Sequence, residues 1–104
     1  MDTTRRPPTL EGKQRRHLRA LAHHLAPVAQ IGVRGLTDEV LAAVDRALDD
    51  HELIKVRVLE GAPLHRKEVG PRIAEVLGAH DVGLVGRVII LYRMHAEEPK
   101  VDLG

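Results

Sequence analysis

Cysteine, phenylalanine and tryptophan are missing from this chain, and Tyr92 is its single tyrosine. With no cysteine there is no disulfide, no thiolate nucleophile and no cysteine-based zinc site, and the redox compartment stays open. With one aromatic ring there can be no platform of the kind on which single-strand and sheet-face RNA readers stack bases. Any nucleic acid bound here is therefore expected to be held mainly through phosphates and shape. No apolar run is long enough to cross a bilayer, and Met1 to Pro8 has no apolar h-region, so a cytoplasmic protein without membrane contact is expected.

The signatures of catalysis are also absent. There is no Walker loop, G-x-S-x-G, dinucleotide fingerprint or H-E-x-x-H. The seven histidines have no metal-ligand spacing, and adjacent His23 and His24 would point about 100° apart on a helix. No nucleophile with a matching base stands out. The expectation is a protein that is not an enzyme and uses no metal or cofactor. A small histidine-dependent hydrolase or metal protein is the weakest alternative.

What is present is a polarised charge. The net +1 conceals seven Arg or Lys against Asp2 and Glu11 over residues 1–36. Over residues 37–52, six acids face Arg46 alone. Arginine outnumbers lysine twelve to four, and guanidinium suits phosphate geometry. An anionic partner fits this pattern. A protein-interaction adaptor using the acidic stretch is the competing class.

The 104 residues suit one domain, divided here into an arm (1–8), a folded unit (9–93) and a fraying tail (94–104). Apolar spacing predicts a first helix over 10–26, capped by Thr9 and buried along Leu18, Leu21, Ala22 and Leu25. Arg16, Arg19 and His23 then lie on the outer face, with Lys13 at its edge. Residues 28–31 read as a short buried strand, 38–50 as a helix capped by Thr37, and 53–59 as the clearest strand. In the latter, Ile54, Val56 and Val58 share one face and Lys55 and Arg57 the other. A third helix over 65–78 should turn Val69, Ile73, Val76 and Leu77 inward and stop at Gly78. Gly70-Pro71 should kink it or delay its start to Pro71. Segments 81–85 and 88–92 form a hairpin. The order α-β-α-β-α-β-β gives an α/β fold, a four-stranded mixed sheet packed with helices.

Within that frame Gly32-Val33-Arg34-Gly35 joins a strand to a helix. Glycine allows positive φ and close approach of another molecule, and a helix N-terminus offers unpaired N–H groups. The loop is a candidate phosphate grip, although Asp38 and Glu39 at the helix start oppose an anion. The outer face of the first helix, Lys13, Arg16, Arg19 and His23, is the second candidate, since it lacks neutralising acids at i, i+4. On this reading Gly35→Asp weakens RNA binding and leaves the melting curve unchanged.

The segments LEGKQRRHLRALAHHLAPVAQIG, GVRGLTDEV, ALDDHELIKVRV and LVGRVIILYR recur in order in one known family. Over Leu10 to Arg93 the sequence resembles the YhbY-like, or CRM (chloroplast RNA splicing and ribosome maturation), domain. The resemblance implies a fold similar to the C-terminal domain of translation initiation factor three. It also implies RNA binding through Gly32, Val33, Arg34 and Gly35 with the basic face beside them. The bacterial single-domain members it resembles associate with large-subunit ribosome precursors, so the implied partner is ribosomal RNA, bound by a monomer. Two departures are Gly70-Pro71 and the lack of the long basic tails of some members, which implies weaker affinity.

Overall fold

The computed structural model describes residues 9–103; the arm expected over residues 1–8 lies outside them. The elements run α1 (Gly12–Ala22), β1 (Pro27–Ile31), α2 (Asp38–His51), β2 (Leu53–Val58), α3 (Arg66–Leu77), β3 (His80–Val85) and β4 (Val88–Tyr92). They form the expected α/β fold, with one four-stranded mixed sheet in the order β1-β2-β4-β3. β1 and β2 pair in parallel, whereas β4 pairs antiparallel with both β2 and β3. The hairpin folds back so that β4 enters between β2 and β3, and the second crossover therefore does not pair its two strands directly.

Strand alternation sorts the core into two layers. On one face Ile31, Ile54, Val56, Val58, Ile89 and Leu91 pack under Val44 and Leu48 of α2 and Val69 and Ile73 of α3. On the other, Leu53, Val82, Ile90 and Tyr92 meet Leu10, Leu18 and Ala22 at α1. Two helices cover one face and a single short helix covers part of the other, which leaves sheet surface open.

Several local expectations are corrected by this packing. α1 starts after Glu11, whose N–H donates to Gln14 Oε1 at 3.0 Å, and stops at Ala22. Leu21 and Leu25 are 42% and 39% exposed, lining an open cleft with Val28, Leu53 and Ile54 of the sheet instead of packing closely on it. β1 is an edge strand with Val28 and Gln30 exposed, not a buried one. Val76 of α3 is exposed, while Gly78 ends that helix at φ 64° as expected. α3 begins at Arg66, five residues before Pro71, and runs through it. Gly70 has a packing reason: a Cβ there would come within 2.8 Å of the Asp81 carboxylate on β3. Burial raises the pKa of that carboxyl, an effect Arg15 opposes.

The segment expected to fray is held at Glu52. This buried residue has φ 62°, a left-handed strain of about 1–3 kcal/mol that persists only where surroundings over-determine it. Its carboxylate accepts the N–H groups of His95, Lys100 and Val101, and its carbonyl accepts that of Arg93. Val101 and Leu103 add apolar contact with the α1-side core.

Tyr92 is fully buried, stacked against His80 with ring centroids 6.2 Å apart, and its hydroxyl finds no partner among the described residues. Burial, with the nearby Glu52 charge, pushes its phenol up to about 12 from 10.0. The unfolded chain therefore releases the proton at lower pH than the folded one. Stability from this group should be complete below pH 10 and be lost as pH rises through about 12. Near-ultraviolet absorbance of this single tyrosine, followed beside circular dichroism, checks the coincidence. Tyr92→Phe should abolish that alkaline component without loss of stability at neutral pH, because the hydroxyl has no bond to lose.

Candidate nucleic-acid interface

The loop after β1 is built as a turn. Gly35 N–H donates to Gly32 O at 3.0 Å, and Thr37 N–H to Gly35 O at 3.1 Å. Gly35 has φ 70°, and a Cβ there would meet Pro63 Cγ at 2.9 Å. Gly32 needs no positive φ, and its Cβ would rest 3.8 Å from Leu59, an ordinary contact. The two glycines are thus unequal: Gly35 is required by the fold, and Gly32 leaves room. Gly35→Asp would strain the loop and clash with Pro63, so it cannot separate binding from folding. That expectation is corrected.

The tip is placed differently. Val33 is 76% exposed and Arg34 is exposed, while Gly35 beneath them is buried. Leu59 N–H donates to Ile31 O at 2.9 Å, and the 59–63 loop supports the turn from behind. The tip therefore presents a guanidinium and its backbone from a fixed base.

The helix start beside it serves less well. Thr37 Oγ1 accepts the Val40 N–H at 3.1 Å, as its N-cap role predicts, and so removes one of the open donors. Asp38 and Glu39 line the same cleft of about 460 Å³ as the loop residues. Two carboxylates at the mouth of that cleft repel a phosphate, whatever the helix dipole contributes. Among the loop residues, Arg34 carries the positive charge and is exposed at the tip, outside those carboxylates' own helix turn.

On α1, Lys13 and Arg16 are exposed as expected, and His23 is exposed at the helix end. Arg19 has a second duty. Its Nη1 donates to Val82 O at 3.1 Å, beside Arg15 Nη1, which donates to Asp81 O at 2.6 Å. The register shift in β3 between Asp81 and Gly83 accompanies these bonds, and Gly83 lets the Arg19 stem lie flat. The two arginines fasten α1 to the edge strand. A guanidinium has five N–H donors, so Arg19 keeps capacity for a ligand.

The loop and α1 are linked through the sheet. Lys55 Nζ donates to His23 O at 3.3 Å, under the end of α1. Arg57, two residues on, lies exposed opposite Gln30, and Gly32 leaves β1 level with Leu59. At about 3.3 Å per residue, Lys55 and the loop are roughly 13 Å apart along the strand. Lys55, half-buried, and Arg57, exposed, thus lie on the sheet face that α1 covers only in part. Arg87, by contrast, donates to the carbonyls of Val58 and Leu59 and closes the β3–β4 turn onto β2. Among the described residues, no group of three or more His, Asp or Glu is placed to hold a metal ion.

Arg93 was missed as a structural residue. It is 2% exposed and donates to Asp45 Oδ1 at 2.7 Å, Asp49 Oδ1 at 2.9 Å, and the carbonyls of Asp45 and Leu77. Two acids of α2 thereby serve the fold. An arginine closing a strand opposite an acidic helix was the available signal.

The family model described as the CRS1/YhbY (CRM) domain matches residues 10–93. A Haemophilus influenzae protein named as an RNA-binding protein is 44% identical over 91% of this chain and 95% of its own length. The probable RNA-binding protein YqeI of Bacillus subtilis is 35% identical over 90% of this chain and 98% of its own. The solution structure of a Staphylococcus aureus protein, titled as a candidate RNA-binding protein, superposes with a TM-score of 0.79. It is 35% identical and matches 92% of this chain and 100% of its own.

Proposed function

The chain belongs to the CRS1/YhbY (CRM) domain family, and from that premise we propose that it binds RNA in assembly of the large ribosomal subunit. It acts in the cytoplasm as a monomeric, non-enzymatic factor on ribosomal RNA of subunit precursors. The binding unit is residues 9–93. The Gly32–Gly35 tip takes the phosphate backbone, Arg34 supplies a charge-assisted hydrogen bond, and Lys13, Arg16, Arg19 and His23 extend the footprint along α1. The observation that carries this reading is the tip itself, an arginine raised on a turn that buried Gly35 and Pro63 hold in place.

The acidic-adaptor alternative loses Asp45 and Asp49, which Arg93 engages, and keeps Asp38, Glu39 and Asp50 exposed on α2. Among the described residues, Lys13, Arg16 and Arg34 have no such ion pair.

Salt titration tests the mechanism. Four cations, each neutralising one phosphate of a single strand, give a slope of log affinity on log salt of about −3. Affinity should then fall about fiftyfold between roughly 50 and 200 mM salt. A flat response in a filter-binding or fluorescence-anisotropy titration would sink the phosphate mechanism.

A further inference from the structure

The half of the sheet that α1 leaves open forms a groove of about 340 Å³. That is within the roughly 300–1,000 Å³ of small-ligand sites. Its rim holds three cations, Arg19 of α1 and Lys55 and Arg57 of β2, with the His23 imidazole just past the end of α1. Its floor is aliphatic, made by Val85, Val88 and Ile90 of the hairpin. No carboxylate lines it among the described residues.

Donors remain available on this rim. Arg19 has one N–H committed to Val82 O and Lys55 one to His23 O, out of five and three. Arg57 is exposed, and Val85 is 66% exposed, which is unusual for a large apolar side chain in a strand.

Cations alone would suit any polyanion; the floor narrows the choice. A paired base is stacked inside its helix, so a duplex can touch the rim but cannot lay a base on Val85 and Val88. An unpaired base can. Its flat face suits aliphatic carbon, and an arginine plane stacks on bases where aromatics are lacking. We propose that this groove takes one unpaired nucleotide of RNA. Its base lies on Val85, Val88 and Ile90 beside the Arg57 guanidinium, and its phosphate is held by Lys55 and Arg19. The proposal rests on the RNA-binding reading above and adds to it a preference for single-stranded or bulged segments over duplex.

The test compares a mixed-sequence single-stranded oligoribonucleotide with the blunt duplex of the same sequence. Both are titrated against wild type, Arg57→Ala, Val85→Glu and Arg34→Glu. The groove variants should weaken single-strand binding about tenfold or more and duplex binding much less. 4-Thiouridine in the single strand should cross-link to the β3–β4 hairpin. Both groove substitutions are at exposed positions, and if Val85→Glu melts early, Arg57→Ala carries the comparison. Equal losses on both RNAs would reduce Arg57 to long-range charge and overturn the proposal. No loss on either, with Arg34→Glu still impaired, overturns the groove and leaves the RNA reading standing. If wild type binds neither RNA, both readings fall. Should Arg57→Ala abolish binding of poly-glutamate but leave RNA unaffected, the groove serves an acidic protein segment and the proposal is wrong.

Discussion

Arg93→Met is expected to lower the unfolding free energy by about 2–4 kcal/mol, the largest stability effect of any surface-to-core contact described above. The guanidinium joins four acceptors from α2 and the end of α3 at the terminus of β4. Removing one partner of a fully buried ion pair costs about 3–5 kcal/mol, mostly because a charge is left dry. Here the Asp45 and Asp49 side chains are 45% and 41% exposed, so water can reach them and the upper end does not apply. What cannot be replaced is the donor to the carbonyls of Leu77 and Asp45. For a domain of this size each kcal/mol shifts Tm by about 4–8 °C, so the change is easily read in a thermal melt. Arg93→Lys should recover only part of it, because one ammonium cannot serve that fork of acceptors. A melting curve unchanged by Arg93→Met would show that α2 and α3 are held without this clamp.

The largest effect on binding is expected from Arg34→Glu. A hydrogen bond to a charged group is worth about 1.5–3 kcal/mol, and reversal adds repulsion. Affinity for single-stranded RNA should fall roughly 10- to 150-fold. The salt slope should flatten by about 0.7, one phosphate contact. Arg34 stands exposed on the turn, so the melting temperature should stay at the wild-type value. Gly35 substitutions cannot make this separation, since that position has φ 70° and lies against Pro63. Retention of both affinity and slope in Arg34→Glu would remove the tip from the interface.

Much of the fold was legible because local signals agreed. Ile54, Val56 and Val58 alternate with Lys55 and Arg57, and only one register puts the first three in a core. Thr37 and Gly78 end their helices for reasons carried by their own side chains, a hydroxyl acceptor and a missing Cβ. Leu21 and Leu25 had the spacing of buried residues and are exposed, because periodicity says which face is apolar and not how closely a partner surface packs on it. Gly70-Pro71 looked like a helix interruption because the reason for glycine there, the Asp81 carboxylate on a neighbouring strand, lies eleven residues away in the chain.

The site divides in the same way. Alone, the sequence determined a Gly-flanked turn bearing Arg34, a basic first helix and the absence of an aromatic platform, since turn conformation, charge and ring chemistry belong to the residues themselves. Only the tertiary structure decided which cations are free to meet a ligand. Arg15 and Arg93 are used as fasteners, Arg19 is shared, and Lys55 and Arg57 come out on an open face because one short helix cannot cover four strands. Long-range packing distributes those duties, and it is settled by which surfaces meet, which no single segment encodes.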